Sequence, residues 1–133
     1  MLYFVYQMSA VHRFQEKSEV VHKIIEKRYN EMKVNAAFIF VAPEVDCKLH
    51  KTVVETPVVK LHVVGVKNYS EGVEVAKEMA EQGVKAIELC AGFGNEGTAM
   101  VAKAVRGKAA VGSVKFDFHP GFDFKSGDVL FQE

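Results

Sequence analysis

Four side chains in this 133-residue chain have the chemistry of a reaction site: Glu88, Cys90, Asp117 and His119. A thiol, an imidazole and two carboxylates support nucleophilic or acid–base catalysis. Cysteine, histidine and carboxylate are also zinc ligands. The set carries no diagnostic spacing such as C-x-x-C or H-E-x-x-H, so the sequence assigns it no metal. Plainer roles are open to Cys90, as a small buried hydrophobe, and to His119, as a turn residue before Pro120. Glu88 is harder to dismiss, because a carboxylate in the apolar run "KAIELC" needs a partner or a purpose. Lys115, one strand over, is the partner the pattern offers.

Between these residues lies Gly92-Phe93-Gly94-Asn95-Glu96-Gly97, a literal G-x-G-x-x-G that follows a strand pattern and opens a helix pattern. A glycine turn at a helix N-terminus points backbone N–H groups at an anion, which makes Gly92, Gly94, Asn95 and Gly97 the candidate ligand-binding residues. Asp117, twenty residues beyond the last glycine, stands where a dinucleotide fingerprint places its ribose acid. Three features oppose that cofactor. The turn follows the third or fourth strand rather than the first, a single βα step remains, and Glu96 already brings a carboxylate to the helix end. No cofactor is therefore assigned. The turn reads either as a seat for a small phosphate- or carboxylate-bearing ligand or as a purely structural bend.

The elements that would position these groups alternate. An apolar opening, "MLYFVYQM", is a strand or a docked arm. From Phe14 to Met32 the residues Phe14, Val21, Ile25 and Met32 recur as one face of an amphipathic helix. "VNAAFIFVA" is apolar on both parities and fits a strand buried on both faces. Val45, Leu49 and Val53 are spaced for a short helix, and "PVVKLHVVGV" is a second strand. "NYSEGVEVAKEMAEQG" is the clearest helix, with Asn68 or Ser70 as cap and Gly83 as stop. "VKAIELC", "EGTAMVAKAVR" and "AAVGSVKFDF" follow as strand, helix and strand, and the tail holds two turn signals, His-Pro-Gly and Ser-Gly-Asp. This rhythm predicts a single α/β domain with a mainly parallel sheet of four or five strands. Polar residues at Lys60, His62, Glu88, Ser113, Lys115 and Asp117 predict that one sheet face is partly open, lines a cleft or meets another subunit, which makes a two-layer arrangement an alternative to a full sandwich.

Composition narrows the function classes. Seventeen basic and seventeen acidic residues cancel, which lacks the footprint of nucleic-acid binding and weakens self-repulsion between copies. Two cysteines, Cys47 and Cys90, make no disulfide framework, so the expected compartment is the cytoplasm. The apolar opening is too short to cross a membrane and lacks the flanks of a signal peptide. Cys47 and His50 form a C-x-x-H without a second half, which does not make a metal site. Abundant valine with sparse Asn and Gln points to a thermophilic source.

From Val34 to about Phe124 the chain resembles a family of small prokaryotic proteins known as a domain of unknown function. The resemblance rests on "AAFIFVAP", on the run from "VVGVKNYSEG" through the glycine turn to "MVAKAV", and on "VGSVKFDFHPG". It implies a compact α/β protein and carries over no reaction or catalytic residue. The first thirty-one residues depart from the pattern. Met32 stands as an alternative natural start, with Glu26-Lys27-Arg28 encodable by a purine-rich ribosome-binding run. The amphipathic pattern of that segment argues the other way.

Three functional expectations follow. The first is binding of a small anionic metabolite at the glycine turn, with Glu88, Cys90, Asp117 and His119 available for chemistry. It requires turn amides not taken up by the protein's own groups. The second is a non-catalytic homo-oligomeric assembly protein that uses the polar sheet face and the N-terminal arm, residues 1–31. A zinc enzyme built on Cys90, His119 and a carboxylate is the third.

Overall fold

The computed structural model describes residues 15–28 and 32–132. The chain divides into two compact units, Met1–Lys33 and Val34–Glu133. In the first, residues 15–28 form helix α1. Its apolar stripe of Val20, Val21, Ile24 and Ile25 is more than half exposed. Phe14, Tyr29 and the apolar opening lie outside the described residues.

The second unit is an α/β layer pair. Its elements run β1 (Val34–Val41), β2 (Lys51–Glu55), β3 (Val59–Val66), α2 (Tyr69–Glu81), β4 (Ala86–Leu89), α3 (Asn95–Ala104), β5 (Ala110–Ser113), a 3-10 turn (Pro120–Phe122) and α4 (Gly127–Leu130). The five-stranded sheet has the order β2-β3-β1-β4-β5. Strands β3, β1, β4 and β5 are parallel, and β2 runs antiparallel along β3. No helix among the described residues is long and apolar enough to cross a membrane.

The handedness of crossovers explains why both long helices share one face. The steps β3→α2→β4 and β4→α3→β5 advance in the same direction across the sheet, and right-handed connections then put both helices on the same side. Ala37, Ile39, Val41, Val64, Val66, Ile87 and Leu89 are buried beneath them. The step from β1 to β3 advances the other way, so a helix there would have covered the opposite face. The chain places β2 in that connection instead.

The expected helix around Val45–Val53 is therefore a turn followed by β2. Asp46 closes the turn, its carbonyl accepting from the amides of Leu49 and His50 and its carboxylate from Lys48 N–H at 2.7 Å. The successive β-branched residues Thr52, Val53 and Val54 then extend along β3. The expected burial of β1 on both faces is met on the helix side, while Phe38 and Phe40 on the other side are half-buried.

The polar residues do not gather on one face. Lys60 and His62 share the helix-side parity with Asn35 and Ala37, where His62 Nε2 lies 3.0 Å from Asn35 Oδ1. Ser113 pairs in register with buried Leu89 on that side too. The open face carries Val34, Ala36 and Phe38 on β1 and Val59, Leu61 and Val63 on β3. It continues through Thr52 and Val54 on β2, Ala86 and Glu88 on β4, and Ala110 and Gly112 on β5. Glu88 is the one charged residue at the strand positions of that face.

Candidate functional site

The glycine turn joins β4 to α3 at the carboxyl end of the sheet. Chain connections leave neighbouring β1 and β4 in opposite directions there, which is the topological switch point of the parallel strands. The crevice between them is tightly filled. Cys90 Sγ accepts from the amides of Val41 at 3.4 Å and Gly92 at 3.3 Å. A Cβ on Gly92 would stand 2.6 Å from Val41 Cγ1, so only glycine lets the turn settle against β1.

The other two glycines of the motif accommodate the protein's own groups. A Cβ on Gly97 would meet the Tyr69 ring at 2.7 Å, and one on Gly94 would overlap the Asp128 carboxylate. The Tyr69 ring is fully buried and stacks on Phe93 at 5.5 Å. Its hydroxyl accepts from Gly94 N–H at 2.9 Å and lies within donating distance of Asp128 Oδ1 at 3.0 Å and the Gly92 carbonyl at 3.3 Å. Burial, foremost, and then the neighbouring Asp128 carboxylate push this phenol well above its ordinary value, against the Gly94 amide, which pulls the other way. It stays protonated as a donor.

Asp128 occupies the anion seat. Its Oδ1 accepts from Glu96 N–H at 3.1 Å and Gly97 N–H at 3.4 Å, the free amides of the first turn of α3. The residue at the helix N-cap, Gly94, has no side chain to do this. An aspartate from the C-terminal tail thus serves as a tertiary cap, favoured by the helix dipole. The tail is fastened around it. Ser126 Oγ accepts from Asp128 N–H at 3.2 Å, and the Phe131 carbonyl accepts from Tyr69 N–H at 3.0 Å. Gly127 passes so close to the Gly92 carbonyl that a Cβ there would overlap it. Glu96 turns outward and accepts from Gln132 Nε2 at 2.6 Å.

The four residues with reaction chemistry are dispersed. Glu88 projects exposed from the open face, between Phe38 and Gly112 in register. Lys115 does not pair with it, because its ammonium lies 2.9 Å from Asp117 on the surface. Asp117 follows β5 in a bend rather than ending the strand, since β5 stops at Ser113. His119 caps the 3-10 turn, with Nδ1 accepting from Gly121 N–H at 3.1 Å, and stacks on Phe122 at 3.9 Å. A chain of ring contacts then runs from Phe122 to Phe131 and on to Tyr69, so the tail reaches the glycine turn through aromatic packing. Cys90 is held by backbone amides as described.

Among the described residues no group of three His, Cys, Asp or Glu side chains is arranged to hold a metal. In the C-x-x-H pair, His50 Nδ1 accepts from Asp46 N–H at 2.9 Å. Burial, followed by the Glu71 carboxylate, pushes the Cys47 thiol up and away from thiolate chemistry.

Tyr69 and Asp128 are the residues sequence reasoning missed. The available signals were a tyrosine opening the clearest helix and the tail's Ser-Gly-Asp, read only as a turn. No curated protein and no solved structure matches the chain. The model of the family described as "Family of unknown function (DUF6506)" matches residues 34–129, and the chain belongs to that family.

Proposed function

We propose that this chain is a non-catalytic assembly protein that pairs with a second copy through the open face of its sheet. One observation carries the reading. The uncovered face is less polar than the covered one, with Glu88 as the one charge at its strand positions. A sheet face meant for water alternates polar residues outward. Here Val34 and Val54 are about half exposed on it.

The area suits a second copy. Five strands spaced about 4.8 Å apart, with a mean length of about 19 Å, give about 450 Å² of face, part of which lies under Val45 at the Gly65 end. A pair therefore buries at most about 900 Å² before side-chain relief, the size of a weak, concentration-dependent contact. Equal numbers of acidic and basic residues impose no net repulsion on that pairing. The dispersal of Glu88, Cys90, Asp117 and His119 supports the non-catalytic part.

Sedimentation velocity on wild type and on Phe38→Asp tests this. The reading expects a concentration-dependent dimer that the substitution weakens by about 100-fold or more, since it buries an unpaired charge in each copy. A wild type that stays monomeric at 200 µM refutes it.

A second reading, a small carboxylate- or phosphate-bearing ligand at Gly92, Gly94, Asn95 and Gly97, has its own supporting observation. The start of α3 already coordinates a carboxylate, that of Asp128. The required free amides are absent at Gly92, Phe93, Gly94, Glu96 and Gly97, so such a ligand must exchange with Asp128. In Asp128→Ala, acetate or inorganic phosphate then raises the melting temperature in proportion to ln(1 + [L]/Kd). Equal, non-saturating shifts in variant and wild type contradict this reading.

A further inference from the structure

We propose that pairing of two copies takes up protons at Glu88, so that the open-face contact strengthens as the solution is acidified. The inference rests on the assembly reading and concerns how that contact is regulated.

Glu88 is exposed on β4, and no ion pair or hydrogen bond holds it among the described residues. Its in-register neighbours are Phe38 on β1 and Gly112 on β5, and its diagonal neighbours Ala36 and Ala110 are apolar. Along its own strand the same parity carries Ala86 and Cys90. The Cys90 sulfur is engaged by the Val41 and Gly92 amides.

A two-fold pairing offers each copy the same surface that it presents. The strand lysines Lys51 and Lys60 lie on the other parity, as do Lys33 and Lys85, which adjoin β1 and β4, while Lys108 and Lys115 face Glu81 and Asp117. A second copy therefore brings Glu88 no cation, only apolar surface and another Glu88. A carboxylate moved into such surroundings without a partner has its proton affinity raised.

The sign follows from linkage. In the pair, with no cation beside it, the carboxylate holds its proton to higher pH than in the free chain. Association is then strongest below the free carboxylate range and weakens as pH rises through the raised value. Each carboxylate contributes up to about tenfold per pH unit across that window.

The experiment measures the dimer dissociation constant by sedimentation from pH 8 to pH 5 for wild type, Glu88→Gln and Phe38→Asp. Circular dichroism confirms that each variant folds. The expected wild-type Kd falls by about tenfold or more between pH 7.5 and pH 5.5, whereas Glu88→Gln is tight and flat over the range. A wild-type dimer with a flat profile overturns the proton linkage and leaves the assembly reading standing. A dimer whose pH dependence survives Glu88→Gln overturns it too, by assigning the protons to another group. Wild type and Glu88→Gln both monomeric at every pH overturn the assembly reading itself, and the linkage with it.

Discussion

Replacing Tyr69 with phenylalanine removes one oxygen from the centre of the glycine turn. The ring remains, still stacked on Phe93 and seated under Gly97. What is lost is the acceptor for Gly94 N–H and the donor available to the Asp128 carboxylate. Gly94 is buried, so its amide has no water to turn to. An unsatisfied buried amide costs about 1–3 kcal/mol, and a hydrogen bond to a charged group contributes about 1.5–3 kcal/mol. Asp128 lies close enough to Gly94 to take up part of the deficit, so a net loss of about 2–3 kcal/mol is expected. That is a large fraction of a typical stability of about 5–15 kcal/mol. Urea denaturation at pH 7 should show the midpoint fall with an unchanged m value.

The same substitution has a signature in alkali. The phenol's proton affinity is raised in the folded state, chiefly by burial. Its contribution is thus complete below about pH 10, where the unfolded tyrosine begins to ionise, and is lost as pH rises further. Wild type should lose stability above pH 10 more steeply than Tyr69→Phe. A variant within about 0.5 kcal/mol of wild type at pH 7 would refute the claim that this hydroxyl holds the turn and tail together.

Other outcomes follow from neighbouring contacts. Gly97→Ala would press a methyl group against the buried Tyr69 ring and should destabilise by about 2 kcal/mol or more, read as a lowered urea midpoint. An effect near zero would mean that the ring has room to move. The His62 imidazole is pushed down by burial first and by Lys60 second. Its contribution is therefore present above about pH 6.5 and fades as pH falls below that value. His62→Gln should flatten that limb of a stability–pH profile, and an unchanged limb would assign it to another group.

The parallel strands and both long helices were legible because their signals are local. "VKAIELC" and "VVKLHVVGV" read as strands, and Asn68 caps α2, its side chain accepting from Glu71 N–H at 2.9 Å. β2 was misread because one helical spacing, Val45-Leu49-Val53, competed with a β-branched run whose pairing partner only the folded sheet supplies. The glycine turn was found at its correct place between strand and helix, but what fills it was not. Asp128 lies 31 residues beyond Gly97, and no local pattern links a tail aspartate to a helix start that the tail reaches only after folding. Nor could parity counting within single strands reveal that Lys60 and Glu88 point to opposite sides. That depends on inter-strand register, which the sequence does not display.

The claim that the apolar sheet face meets a second copy has a direct test in hydroxyl-radical footprinting, read residue by residue at 1 µM and 200 µM protein. The account predicts that Phe38, Leu61 and Val63 become protected as concentration rises, while exposed Phe118 and Phe124 in the tail keep their reactivity. Unchanged labelling of the sheet face, or protection confined to Val20, Val21, Ile24 and Ile25 of α1, would contradict it.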